Sequence, residues 1–207
     1  MGNFAITVSR GYGSGGKIVG KALAEALNID FVDRELLQMA SEESGINETL
    51  FNAADENEKF KGGLFFKKHV YRGGIITPEE DGFTSNENLF NYQAKVLKQL
   101  IEKESFVVMG RAANYVLKDY PNVVSVNIQA PYEFCVKMTM ETMKVGEKDA
   151  RRYVNNITKY RKEYYEYYSG ADWNDPLGYD LSLNSARVGV DNCVRVIIDY
   201  LKLKQLI

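Results

Sequence analysis

Phe4-Ala5-Ile6-Thr7-Val8-Ser9-Arg10-Gly11-Tyr12-Gly13-Ser14-Gly15-Gly16-Lys17 is the stretch on which the reading of this chain turns. Phe4 to Ser9 is a short run rich in β-branched and apolar residues, as a buried strand requires. Gly11 to Gly16 carries four glycines, and from Lys17 to Leu27 the residues Val19, Ala22, Leu23, Ala26 and Leu27 recur at helical spacing. Strand, glycine loop and helix follow one another without a break. Glycines let such a loop turn tightly, and the amides at a helix N-terminus favour anionic oxygens. Two motifs fit the loop. Gly11-x-Gly13-x-x-Gly16, with Asp33 about 20 residues on, satisfies the dinucleotide-binding fingerprint. Gly11-x-x-x-x-Gly16-Lys17 satisfies the phosphate-binding loop, whose lysine reaches terminal phosphates. Lys17 separates the two, since a dinucleotide turn does not require that charge. A glycine-rich connection that binds nothing is the third option. The residue after Lys17 is Ile18, where a phosphate-binding loop offers Ser or Thr to magnesium, so a metal would be held by the nucleotide, by water or by a group such as Asp33.

Working outward, Ile29 to Val32, Phe106 to Met109, Val123 to Ile128 and Tyr179 to Leu183 read as further strands, with helical runs between them. Val190 to Leu203 reads as a closing amphipathic helix with Cys193 on its apolar face. Alternating strands and helices imply βαβ units and an α/β, three-layer fold around a central parallel sheet. Two stretches depart from this rhythm. Lys61 to Ser85, with Gly62-Gly63, Gly73-Gly74, Pro78 and Gly82, reads as a long, loosely ordered loop. Glu147 to Tyr168 reads as one helix capped at Ser169-Gly170. Its apolar stripe is Ala150, Val154, Ile157, Tyr164 and Tyr168, and Arg151, Arg152, Lys159, Arg161 and Lys162 lie largely on other faces. A solvated basic face accounts for most of those cations, and core packing accounts for the tyrosines and Trp173. Arg111 follows an apolar strand and Gly110, which puts it at the carboxyl edge of the sheet, where ligands bind in open α/β folds.

Composition narrows the chemistry. The 207 residues suit one domain, and 45% hydrophobic with 26% charged residues is ordinary for a globular chain. Lys+Arg 26 against Asp+Glu 28 leaves a net charge of -2, unlike a protein that wraps a nucleic-acid duplex. One histidine, His69, and two cysteines, Cys135 and Cys193, cannot build a four-ligand zinc site, and a catalytic triad would have to run through His69 alone, in a stretch with no nucleophile-elbow pattern. The thiols suggest a reducing, cytoplasmic setting. No stretch reaches membrane-spanning length, so neither nucleic acid nor membrane is an expected partner.

The opening stretch from Ile6 to Lys17 resembles the cytidylate kinase-like family, as do Phe31-Val32-Asp33-Arg34-Glu35-Leu36-Leu37, Val107-Val108-Met109-Gly110-Arg111 and Val126-Asn127-Ile128-Gln129-Ala130-Pro131. Arg161 through Tyr168 and Tyr179-Asp180-Leu181 resemble its closing helix and strand. The resemblance implies a P-loop kinase fold over residues 1–207, with 45–104 as an acceptor-binding insert and 143–168 as a lid. It implies phosphoryl transfer from ATP, with Mg2+ held by the nucleotide and water, to a nucleoside monophosphate or related small acceptor. Gly11, Gly13, Ser14, Gly15, Gly16, Lys17 and Ile18 would surround the donor nucleotide, Asp33 and Arg111 the acceptor, and Lys17, Arg111 and Arg161 would carry the chemistry. Asp33 could instead hold metal through water or cap the next helix. The chain departs from cytidylate kinases at Ala112, Val154 and Thr158, and at Cys135, where relatives often carry arginine. Ile18, Ala112, Thr158 and Cys135 motivate a second hypothesis, a non-catalytic nucleotide-binding module. A third is a dinucleotide-dependent oxidoreductase with Asp33 on a ribose.

Overall fold

The computed structural model describes residues 2–56 and 69–207. Five strands, β1 (Ala5–Arg10), β2 (Asp30–Val32), β3 (Phe106–Met109), β4 (Val123–Gln129) and β5 (Leu181–Asn184), form one sheet in the order β2-β3-β1-β4-β5. Every pairing is parallel. β1 lies at the centre, with Val8 opposite Met109 on one side and Val126 on the other. This order bears on the oxidoreductase hypothesis. Dinucleotide-binding folds place their second strand directly beside the first, which brings its terminal acid to the ribose. Here β3 intervenes between β1 and β2, and the end of β2 serves a different part of the cleft.

Side-chain alternation makes the sheet a two-faced core. Ile6 and Val8 of β1 join Val107, Met109, Val124, Val126 and Ile128 on one face. Against them pack α1 (Gly16–Leu27), through Val19 and Leu23, and α9 (Val190–Leu203), through Cys193, Ile197 and Leu201. On the other face Ala5, Phe106 and Val108 meet α2 (Glu35–Ser44), α3 (Glu48–Glu56), α4 (Asn86–Lys103) and α5 (Ala113–Val116). Burying each large aliphatic side chain fully contributes about 1.5–3 kcal/mol, and several here are wholly enclosed. Three layers result, as the alternation implies.

The remaining helices cross the carboxyl edge of the sheet. α6 (Tyr132–Met143) and α7 (Glu147–Ser169) pair through Cys135, Val136, Ala150 and Val154. α7 ends at Gly170, whose φ of 73° supports the left-handed cap. α8 (Ser185–Val188) is a single turn. The last strand begins two residues later than the sequence suggests, because Tyr179 is drawn into the core and Asp180 accepts from the Ser125 amide at 2.7 Å and hydroxyl at 2.9 Å.

The segment read as a loose loop needs a correction. Residues 61–68 lie outside the described residues. From 69 to 85 the chain has no helix or strand, yet it is stitched down. Buried Asn88 accepts from the Ile76 amide at 2.8 Å and donates to the Ile76 and Phe83 carbonyls at 3.0 and 2.7 Å. The Tyr71 amide donates to the Tyr168 carbonyl at 2.8 Å. One buried amide side chain thus supplies the partners that irregular backbone needs.

Candidate functional site

The glycine loop wraps the N-terminus of α1. Gly13 and Gly15 both have φ of 76°, the left-handed region that glycine tolerates. Ser14 is wholly buried and its hydroxyl donates to the Gly11 and Ile128 carbonyls, both at 2.9 Å. The Ser185 hydroxyl donates to the Ser14 carbonyl at 2.6 Å. The Ser14 side chain therefore braces the loop from within and offers nothing to a ligand. Among the described residues, the amides of Gly13, Gly15, Gly16 and Lys17 have no acceptor. Unsatisfied donors at a helix N-terminus are a ready site for anionic oxygens. Ile18 is half-exposed and is not part of the cleft lining.

Beside this loop lies a cleft of about 710 Å³. Lys17, Asp33, Arg111 and Arg161, all singled out from the sequence, line it together. Arg10 and Arg34 line it too. Lys17 Nζ lies 2.6 Å from Asp33 Oδ2, and Arg10 approaches the same carboxylate at 3.9 Å. Asp33 is not a helix cap: α2 starts without a side-chain cap, and it is Glu35 that accepts from the Asp33 amide at 3.0 Å. Burial alone would raise the Asp33 carboxyl, but Lys17, Arg10 and Arg111 outweigh that and hold it below the usual carboxylate range. A depressed carboxyl stabilises the fold above its unfolded value, near pH 4, and that contribution is lost as pH falls through the folded value. Asp33→Asn is therefore expected to melt below wild type at neutral pH. The gap should close as pH falls below about 4, and thermal melts across that range check it. A gap independent of pH would show that the carboxylate charge is not what the fold uses.

Arg111 sits on unusual backbone. Gly110, Arg111 and Ala112 have φ of 68°, 58° and 50°, three successive left-handed residues of which two carry side chains. Such conformations are costly and cluster at functional sites. Gly110 is required for a second reason: a Cβ there would overlap the guanidinium of Arg10. Arg10 extends from the end of the central strand directly across Gly110.

α7 spans the mouth of the cleft. Its Thr158 hydroxyl accepts from the Tyr12 amide at 3.0 Å, and Arg161 donates to the Arg10 carbonyl at 3.3 Å. Arg161 also lies 5.5 Å from the Tyr12 ring centre, a cation–π contact. The helix is held beyond the cleft at both ends. Arg151 binds Glu133 of α6 through two bonds of 2.9 and 2.8 Å, and Tyr167 donates to Glu87 of α4 at 2.6 Å. Three other cations of α7 behave as a solvated face, each with an acid one turn away: Arg152 with Asp149, Lys159 with Glu163, Lys162 with Glu166. The tyrosines divide between two roles. Tyr168 is buried, its ring stacked on Phe90 at 3.9 Å, as core packing requires. Tyr160, Tyr164, Tyr165 and Trp173 line the cleft, and Tyr165 and Trp173 are at the same time buried in the core, as the packing reading expects.

Arg10 was not recognisable as a cleft residue by motif. Its position at the carboxyl end of a strand, the same logic that marks Arg111, was the available signal. His69 is exposed and 6.3 Å from the Tyr167 ring, outside the cleft. Cys135 and Cys193 are free and buried. Among the described residues no three His, Cys, Asp or Glu side chains gather as a metal site, and no helix is long and apolar enough to cross a membrane.

Comparison with known proteins adds to this geometry. The model of the cytidylate kinase-like family matches residues 5–187. A cytidylate kinase from Saccharolobus islandicus is 24% identical over 115 residues, covering 53% of this chain and 57% of that protein. The match thus spans little more than half the length of the curated relative. An uncharacterized protein from Eubacterium ventriosum superposes with a TM-score of 0.70 at 28% identity, over 97% of this chain and 99% of that one. A shikimate kinase from Bacteroides thetaiotaomicron, 12% identical, shares the fold with a TM-score of 0.53 over 96% of this chain and 98% of its own.

Proposed function

Because the chain belongs to the cytidylate kinase-like family and has the P-loop kinase fold, we propose that it transfers a phosphoryl group from ATP to a nucleoside monophosphate or a related small acceptor. One observation carries this reading. Five cations, Arg10, Lys17, Arg34, Arg111 and Arg161, line one cleft whose lining holds a single carboxylate, and Lys17 joins it to the glycine loop with its open amides. Phosphoryl transfer between such partners needs in-line positioning and neutralised charge more than covalent catalysis.

The residues fit a bound nucleotide. The open amides of Gly13, Gly15, Gly16 and Lys17 are donors for donor-side phosphate oxygens, and Lys17 is the cation nearest to them. Magnesium-bound ATP supplies the transferable group and part of the charge neutralisation. Mg2+ is commonly held by one or two carboxylates and by phosphates. With Ile18 in place of a hydroxyl, Asp33 is the carboxylate available to it in the cleft lining. Arg111, fixed by its left-handed backbone, presents a planar fork suited to an acceptor phosphate. Residues 45–104 then act as the acceptor-binding region, and 143–168 as the lid. Arg161, held on the Arg10 carbonyl, supplies charge from the lid side, and Tyr160, Tyr164 and Trp173 help exclude water. A cytoplasmic setting accords with the free thiols.

A coupled ADP-release assay with a panel of nucleoside monophosphates and small hydroxyl acceptors tests this. Turnover with one acceptor class is expected. Arg111→Ala should lower acceptor kcat/KM by about 10²-fold or more while ATP binding changes little. The half-exposed Ile18 favours one other reading, a nucleotide-binding module without catalysis. ATP binding with no turnover of any acceptor would establish that reading instead.

A further inference from the structure

A small recess opens beside the main cleft, between α4 and α7. Its walls are the rings of Phe90, Tyr164 and Tyr168, and Arg111 lines both spaces, so a molecule reaching from one to the other passes Arg111. The recess holds about 10 Å³, room for roughly one water-sized polar group. Gln93 of α4 lines it and is 5% exposed. Its Nε2 faces the Leu89 carbonyl at 3.4 Å, which sets the direction of the amide. Oε1 has no hydrogen-bond partner among the described residues. A buried acceptor left unmade costs stability unless something completes it.

Resting on the kinase reading above, we propose that Gln93 determines acceptor specificity. Its Oε1 accepts a hydrogen bond from a donor group of the acceptor, a base amine or a sugar hydroxyl, inserted into this recess. The orphaned oxygen rewards an N–H or O–H and gains nothing from a carbonyl. Asn86 and Arg111 are the other polar groups of the lining, and the rings of Phe90, Tyr164 and Tyr168 supply the rest of its walls. A site built this way discriminates strongly, because the wrong ligand leaves the protein's own group unpaired.

The test uses calorimetric binding and ADP-release kinetics with two matched pairs. CMP and UMP differ at a base amine, and CMP and dCMP differ at the 2′-hydroxyl. Wild type is expected to prefer the donor-bearing member of one pair by on the order of 10-fold to 100-fold. In Gln93→Leu that ratio should collapse to about 3-fold or less, through acceptor KM, with ATP KM unchanged. Gln93→Leu should also melt at or above wild type, since it removes an unpaired buried oxygen, whereas a merely structural glutamine would lower the melt. If Gln93→Leu does not fold, Gln93→Glu keeps the acceptor oxygens and must keep the preference. Equal binding of both members of both pairs by wild type would overturn the proposal, as would a preference that survives in Gln93→Leu or is lost in Gln93→Glu. Either result leaves the kinase reading standing. Failure of wild type to bind or phosphorylate any of the three nucleotides would overturn this proposal, and the wider acceptor panel decides the kinase reading separately.

Discussion

Lys17→Ala is expected to lower ATP-dependent phosphoryl transfer by about 10²- to 10³-fold, the usual scale for removing one preorganised charge or donor from a transition state. The side chain is 59% exposed and belongs to no hydrophobic cluster, so the fold does not depend on it. Among the described residues its short bond to Asp33 anchors the ammonium, and Arg10 remains beside that carboxylate when the lysine is gone. The variant should therefore melt within a few degrees of wild type, as exposed ion pairs contribute little. A large loss of rate without a loss of stability is the signature of a charge that acts on the reacting phosphates. Kinetics with Lys17→Ala and Lys17→Arg, alongside melts, check it. Unchanged kcat/KM in Lys17→Ala would remove this lysine from the mechanism.

The second large effect concerns backbone. Gly13→Ala is expected to cost roughly 2–4 kcal/mol of stability and to abolish ATP binding, from a left-handed φ together with a steric overlap. The added Cβ would run into the carbonyl oxygen of Cys135 and come within 2.8 Å of Thr139 Oγ1. Neither can yield cheaply. The carbonyl belongs to α6, and the Thr139 hydroxyl already donates to it at 2.8 Å. Gly45→Ala is the control, because Gly45 has a similar φ of 72° with nothing within 4 Å of its Cβ position. That variant should show only the conformational cost, about 1–2 kcal/mol. Denaturant melts of the two, with ATP titrations, separate overlap from strain. Equal melts would show that the loop and α6 move apart freely.

What could be read in the sequence was local. The strand, loop and helix from Phe4 to Leu27 declare themselves by periodicity and glycine placement, and the closing helix from Val190 to Leu203 was legible to its ends. Arg111 was legible because a strand end predicts a sheet edge. The rest depends on register between distant segments. Val8 lies opposite Met109, so Arg10 and Arg111 reach the same edge and Gly110 must lack a Cβ, which no one-dimensional spacing announces. The partition of the tyrosines of α7 into core and cleft likewise follows from where α4 packs, not from helical period. Asn88 and Gln93 are two amides on one helix. One is fully satisfied by an irregular segment and the other has an open oxygen, a difference invisible until the segments meet.

The central position of β1 also sets an order of events during synthesis. The first strand to leave the ribosome gains its hydrogen-bonded neighbours only from residues 106–109 and 123–128, and the glycine loop gains its braces from Ile128 and Ser185. Contacts of such long sequence separation form late, because chain closure must come first. The phosphate cradle nearest the start of the chain is therefore among the last features to become competent. A nascent chain can bind nucleotide in this cradle only after almost the whole domain has been made.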